Sequence, residues 1–505
     1  MNKKYLIGLD IGTTALKGII LDEQGNILST TAVEYQLRTN GNDICELEAE
    51  LYWLSTQKII KELLIKSNIT DKQIVALAFS SQGETLIPVD KNGGPLRNAI
   101  VWMDNRSAVE AKQIEKDFGN NKIYQITGQP EVIPMWPATK ILWFKNHEPE
   151  LFDRTHKFLL LEDYLIYKLT GKFFTEESLS SSTLYFDINK KEWWDEMLRY
   201  LGISSKLLPD ILPSGKKVGT VTQKAAALTG LNESTFIVTG AYDHAAGAIG
   251  AGNIEQGIIT ETTGGAMAMC VTLDKPVIDK KLNLPCQCHA VKNKYFIQPY
   301  GQTAGMTLKW FKDNFSKEEI QQAANENKDV YDILTSLADN IPPGSEGLTI
   351  LPHLMGTGSP EFDLNAKGIF AGISLNMTKG HFVRAIMESV ACIIKANIES
   401  LEQMGYSIKE IRVLGGGAKS KLWNQIKADM LNIPTISMQI KEAPSLGAAI
   451  LAGIGSGVFN DIYDGTRKTV KVDQIFKPQK INNAVYQQVY EKYKSLYKLN
   501  RSLWS

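Results

Sequence analysis

YLIGLDIGTTALKGIILDEQGNILSTTAVEY, residues 5–35, decides the fold class. Tyr5–Leu9 is an apolar run, Asp10-Ile11-Gly12-Thr13-Thr14 reads as a turn, and Ala15–Leu21 is again strand-like. Asp22–Gly25 turns a second time and Ile27–Tyr35 extends. Short apolar runs punctuated by Gly, Asp and Thr predict consecutive strands joined by tight turns. An amphipathic helix follows, with Leu51, Leu54, Ile59, Leu63 and Leu64, and then a buried strand at Ile74–Phe79. Strands alternating with helices predict an α/β domain whose sheet is largely covered.

A second start of the same kind lies roughly 250 residues further on. Phe236–Thr239 reads as a strand ending in Gly240-Ala241-Tyr242-Asp243, and Gly257–Glu261 as a strand running into Thr262-Thr263-Gly264-Gly265. Two related halves are expected rather than a repeat array. The 505 residues also exceed what one hydrophobic core usually supports. The Gly/Ala-rich stretch Ala245–Gly252 sets the expected boundary, giving domains 1–247 and 248–505. In the second half, apolar residues from Phe382 to Leu401 recur at helical spacing, and Gly405 stops that helix. The Tyr-rich tail Ala484–Leu499 reads as a closing helix.

Lys+Arg and Asp+Glu balance at 55 each, so no global field draws nucleic acid or an anionic membrane. The apolar stretch Tyr5–Leu9 stops at Asp10, too short for a signal-peptide core. No apolar run approaches the roughly twenty residues that span a bilayer. Five cysteines form no even disulfide framework, which points to a reducing cytosol. Cys286-Gln287-Cys288-His289 has no second ligand pair nearby and is read as incidental rather than as a zinc site. A soluble cytoplasmic protein is expected, without nucleic-acid or membrane partners; a homodimer is compatible with this reading.

Several turns carry chemistry. After the first strand, Gly12 permits close approach of backbone to a ligand, and the hydroxyls and amides of Thr13 and Thr14 can donate to phosphate. Asp10 could hold Mg²⁺ through water. A plain hairpin turn uses the same residues. Thr262-Thr263-Gly264-Gly265 is the matching turn of the second half. Gly415-Gly416-Gly417-Ala418 joins the strand Ile411–Leu414 to a helix starting near Ser420, where small residues admit a ring or a phosphate. Asp243 follows a strand and precedes His244-Ala245-Ala246, a place for either a general base or a helix N-cap. Gln82-Gly83-Glu84 and Trp102-Met103-Asp104-Asn105-Arg106 offer the carboxylates, amides and aromatic face that polyols need.

Two long patterns then carry a resemblance. Met135-Trp136-Pro137-Ala138-Thr139-Lys140-Ile141-Leu142-Trp143-Phe144-Lys145-Asn146-His147 is similar to the N-terminal signature of the FGGY carbohydrate kinases. Gly368-Ile369-Phe370-Ala371-Gly372-Ile373, followed by His381-Phe382 and Ala385-Ile386-Met387-Glu388, resembles their C-terminal one. The resemblance covers nearly the whole chain and implies two actin-like (ribonuclease H-type) α/β domains facing a central cleft. It implies ATP and Mg²⁺ as cofactors and a small sugar or polyol as substrate. Asp243, in its Gly-x-x-Asp-x-x-Ala setting, becomes the catalytic base and, with Asp10, a metal site. Gly12, Thr13, Thr14, Lys17, Thr262, Thr263, Gly264, Gly305, Gly416, Gly417 and Lys421 become the nucleotide set. Gln82, Gly83, Glu84, Trp102, Asp104 and Asp243 become the sugar set.

Within the family, xylulose kinases carry Gln-Met-His-Gly where this chain has Gln82-Gly83-Glu84-Thr85, and glycerol kinases carry Gln-Arg-Glu-Thr. Met135 stands where glycerol kinases place an aromatic contact. Losing both that contact and the arginine implies room for a substrate longer than glycerol. A pentulose, xylulose first, is expected, with gluconate or another polyol as the alternative. A nucleotide-gated scaffold on the same architecture is the competing class; it would need neither Asp243 nor the Gln82–Glu84 cluster.

Overall fold

Each apolar run of the opening segment forms a strand, and the covalent order fixes their pairing. Tyr5–Ile11 pairs antiparallel with Ala15–Asp22, which pairs antiparallel with Ile27–Glu34. Ile74–Ser81 returns parallel to Tyr5–Ile11 after the helix Ala49–Ser67, the kind of crossover that a parallel neighbour requires. Phe236–Val238 and Lys217–Thr220 extend a seven-stranded sheet beyond Ile74–Ser81, and Ala241–Tyr242 also pairs with that strand. Leu6, Ile7, Leu9 and Ile11 are wholly buried, so both faces of the central strand are covered.

The computed structural model describes residues 3–41, 43–279 and 283–504. The chain divides into two compact units. The first comprises Met1–Ile254, Thr272–Ile297 and Glu442–Val470; the second comprises Glu255–Val271, Gln298–Lys441 and Lys471–Ser505. The boundary expected between residues 247 and 248 falls inside a helix, Asp243–Gly250, and the units divide after Ile254 instead. The later return of Glu442–Val470 to the first unit is a tertiary choice that no composition shift announces.

In the second unit Ile258–Thr263 pairs antiparallel with Met267–Leu273 and parallel with Glu410–Leu414. Thr435–Met438 and Val472–Phe476 continue outward. The opening of the first unit thus recurs: a hairpin with a three-residue connection whose first strand also takes a later parallel partner. Thr262 and Thr263, read from sequence as turn residues, are the last two residues of the strand, and the turn itself is 264–266. The long helix Lys379–Gln403 is buried along most of its length, as its periodicity predicts.

Small residues seat the first unit's key helices. A Cβ on Gly8, in the central strand, would run into the Ser445 carbonyl and reach the Ala449 nitrogen at 2.6 Å. The helix Ala443–Ser456 therefore lies directly on that strand. Its Gly447 leaves no space for a Cβ against the Ala246 carbonyl, and Gly250 leaves none against Ala443. Replacing Gly447 by Val should push the helices Ala443–Ser456 and Asp243–Gly250 apart and cost about 1–3 kcal/mol of stability. A lowered denaturant midpoint in urea unfolding is the measurement that checks it.

Candidate active site

The central strand ends at Asp10 and Ile11, with Ser80 and Lys17 as the cross-strand neighbours of Asp10. Ser80 Oγ donates to Asp10 Oδ1 at 2.7 Å. Burial pushes the Asp10 carboxyl up to about 7, and the nearby charge of Asp243 adds to the rise. Lys17 is held by Glu442 at 2.9 Å. In the turn, Gly12 N–H donates to the Ala15 carbonyl at 3.0 Å, and Tyr35 donates its hydroxyl proton to the Gly12 carbonyl. Thr13 Oγ1 accepts from Trp102 Nε1 at 3.0 Å and keeps its own proton to donate. Thr14 is exposed. Trp102, assigned by sequence to the sugar, thus braces the turn 12–14.

Asp243 is the first residue of its helix, and Tyr242 occupies the N-cap position. The Asp243 Oδ1 accepts from the backbone N–H of the next residue, His244, at 2.6 Å, so one carboxylate oxygen is engaged at the helix start, from the first helical position and not from the N-cap position. A third of its side chain remains exposed, yet enough protein surrounds the carboxylate that burial raises its pKa. The pair Asp10–Asp243 is suited to a divalent cation, because ligation would relieve both burial and mutual repulsion. Among the described residues no three His, Cys, Asp or Glu side chains converge, so water and phosphate would complete such a shell.

The polyol candidates divide. Gln82 is 3% exposed; its amide donates to Tyr52 Oη at 3.3 Å while its carbonyl oxygen has no protein partner. Glu84 is buried in a positive-φ conformation (φ 59°), an arrangement that costs on the order of 1 kcal/mol and marks a constrained position. Burial drives its carboxyl pKa upward, against the opposing charge of Lys140. Lys140, wholly buried on the signature helix Pro137–His147, donates to the carbonyls of Glu84 at 2.9 Å and Val101 at 3.2 Å. The signature lysine thereby clamps the segments that carry Glu84 and Trp102. Asp104 has no exposed surface and accepts from Cys45 N–H, Arg106 N–H, Arg106 Nε and Arg106 Nη2. Its carboxylate fastens the loop, and the expected role in touching sugar does not match that geometry.

Gly83 corrects the expectation of open space. A Cβ there would meet the Tyr242 ring at 2.8 Å and Ser182 Oγ at 3.0 Å, so these two side chains fill the position the missing arginine would have used. Tyr242 stacks on Phe296. In the Cys286–His289 segment, burial pushes both thiols up to about 12, Cys286 Sγ accepts from Val277 N–H, and His289 Nδ1 accepts from Val291 N–H.

In the second unit a cavity of about 350 Å³ is lined by Thr263, Gly264, Gly305, Gly416 and Gly417, all from the sequence-derived set. Met306, Leu308, Met387 and Trp423 add an apolar wall, and Lys309, Asp329, Asp332 and Lys419 a polar one. Gly305 N–H donates to the Gly264 carbonyl at 3.0 Å, which binds the helix Gly305–Phe315 to the turn. Ser420 caps the next helix, its Oγ accepting from Trp423 N–H at 3.2 Å. Thr262 and the exposed Lys421 do not line the cavity; Lys419 stands there instead. Nothing in the sequence singled out Trp423, Tyr242 or Ser80, because each meets a neighbour distant in the chain, Met387, Gly83 and Asp10 respectively.

Two α/β units, one with a buried carboxylate near a strand end and another at a helix start, the other with a glycine-lined cavity, fit a phosphotransferase class. The N-terminal domain of the FGGY family of carbohydrate kinases matches residues 5–250, and the C-terminal domain of the same family matches residues 262–456. The chain belongs to this family of carbohydrate kinases, which transfer phosphate from ATP to an alcohol group. It is 33% identical over 503 residues to a xylulose kinase of Staphylococcus epidermidis, covering 100% of this chain and 98% of that protein. It is 30% identical over 456 residues to a gluconokinase of Bacillus subtilis, covering 90% and 88%. A ligand-bound xylulose kinase from Lactobacillus acidophilus superposes with a TM-score of 0.88 at 26% identity, covering 99% of each chain.

Because Tyr242 and Ser182 occupy the space beside Gly83, Gly83→Arg alone should abolish sugar phosphorylation without creating glycerol phosphorylation. Initial rates with both substrates check this; a gain of glycerol turnover contradicts the packing argument.

Proposed function

We propose that the protein is an ATP-dependent kinase of a neutral pentulose, xylulose first, with Asp243 as general base. The observation that carries the reading is Asp243 itself: a recessed carboxylate of raised pKa at the first position of a helix, where Tyr242 and not Asp243 is the N-cap. Phosphoryl transfer to an alcohol gains from a carboxylate that accepts the hydroxyl proton as the new bond forms. Gln82, with its free carbonyl oxygen, and Glu84, whose raised pKa favours the acid that both donates and accepts, would orient the polyol. Full-length similarity to xylulose kinases supports the same substrate.

A neutral substrate is favoured over an aldonate by the charges of the first unit. Among the candidate site residues there, Asp10, Glu84 and Asp243 are carboxylates not paired with an Arg or Lys side chain, and the neighbouring cations are engaged elsewhere. Lys17 is paired with Glu442, Lys140 with two carbonyls, and Arg106 with Asp104 and Glu46. The second unit's cavity would take the nucleotide, with Gly416 and Gly417 beside the base and Thr263–Gly264 towards the phosphates. Bound Mg²⁺, held by Asp10 and Asp243, would supply charge neutralisation at the phosphates. A cytoplasmic setting accords with five buried cysteines, none in a disulfide, and no helix among the described residues is long and apolar enough to cross a membrane.

The test is ATP consumption with Mg²⁺ over D-xylulose, L-xylulose, D-ribulose, gluconate and glycerol. D-xylulose should stand far above the rest; a gluconate maximum would move the substrate assignment, and a flat response would favour the nucleotide-gated scaffold. Asp243→Asn should lower kcat by about 10²–10⁴-fold while ATP binding by calorimetry stays nearly intact. The rate must rise with pH as the base ionises, so the acid limb of kcat/KM should lie above the ordinary aspartate value of 3.8.

A further inference from the structure

Beneath the turn 264–266 lies a buried ion pair that the proposed reaction does not use. Side chains two apart on a strand share a face, which sends Glu261 and Thr263 of Ile258–Thr263 to the same side. Lys427, from the helix Lys421–Leu431, meets both there. Its Nζ donates to Glu261 Oε2 at 2.5 Å and to Thr263 Oγ1 at 2.9 Å, and Thr263 Oγ1 donates in turn to Glu261 Oε1. None of the three is more than 1% exposed. Thr263 also separates two glycines of the other loop: a Cβ on Gly417 would lie 2.7 Å from its Cβ, and one on Gly415 would lie 2.8 Å from its carbonyl oxygen. Both Thr263 and Gly417 line the cavity.

We propose that Lys427 is a positioning residue for the nucleotide polyphosphate: it cancels the buried charge of Glu261 and locks Thr263 between the two glycine loops. The inference rests on reading the cavity as the nucleotide site. A carboxylate alone at Glu261 would place an unscreened negative charge two residues before the turn that meets the phosphates, and burial leaves little salt screening to mask it. The paired lysine removes that repulsion. The hydroxyl bridge converts the pair into a fixed rotamer for Thr263, and the close-packed glycines carry that position to the loop 415–417.

The signature is a change in the ratio of ATP to adenosine affinity, which loss of packing alone would not produce. Calorimetric titration of the full chain with ATP and with adenosine should show the ratio falling about tenfold or more in Lys427→Met and rising in Glu261→Gln. Should Lys427→Met fail to fold, Glu261→Gln carries the test, and Glu261→Gln/Lys427→Met should return the ratio towards that of the unaltered protein. Ratios that stay constant, or that move the same way in both single variants, overturn the proposal. Failure of the unaltered protein to bind either ligand would overturn the nucleotide reading instead.

Discussion

The first unit depends on how closely two helices and one strand can approach. Gly8, Gly250 and Gly447 each face backbone atoms where no Cβ fits. Their absence of side chains brings the helix Ala443–Ser456 down onto the strand that ends at Asp10, and brings the helix that begins at Asp243 against it. Close packing of backbone on backbone is stiff, since no side-chain rotamer can absorb a shift. The places of the Asp10 and Asp243 carboxylates, the candidate base and metal ligands, are therefore set by a contact that contains no functional group at all.

Burial of charge is the second theme, and each unit handles it through a lysine. Lys140 spends its ammonium on two carbonyl oxygens and holds the segments bearing Glu84 and Trp102. Lys427 pairs with Glu261 beneath the second turn. A buried ammonium without partners would be strongly unfavourable, so both lysines have hydrogen-bond acceptors at short range. The acids at the end of the central strand and at the start of the helix Asp243–Gly250 are treated differently. Asp10 and Asp243 have no Lys or Arg paired with them among the described residues, and burial raises the pKa of each, with the charge of Asp243 adding to the rise at Asp10. Groups kept uncomfortable in this way are suited to accepting a proton or a cation. Asp104, by contrast, is satisfied on both oxygens and serves the loop.

The local elements were legible because period and punctuation are local properties. The strands from Tyr5, Ala15 and Ile27, the helix Ala49–Ser67 and the helix Lys379–Gln403 all lie where alternation or 3.6-residue spacing puts them. The strand Ile258–Thr263 is longer than its apolar run because Thr suits a strand as well as a turn, and the antiparallel partner Met267–Leu273 decides the matter. The glycine loops and Asp243 were found through residue chemistry and family resemblance. Gly83 was read as vacancy, since a sequence shows a missing side chain but not the Tyr242 ring that takes its place.

By itself the sequence determined the α/β class, the paired starts of the two halves and the family, and it singled out the glycine turns and Asp243 as candidates. These follow from neighbours within a few residues or from long ordered motifs. Only the tertiary structure decided that Glu442–Val470 belongs with the first unit, that Asp104 is committed to Arg106, and that Lys427 meets Glu261. The physical reason is the same in each case. A contact between residues far apart in the chain is selected by packing and by satisfaction of buried charge, and neither leaves a periodic or compositional trace in one sequence.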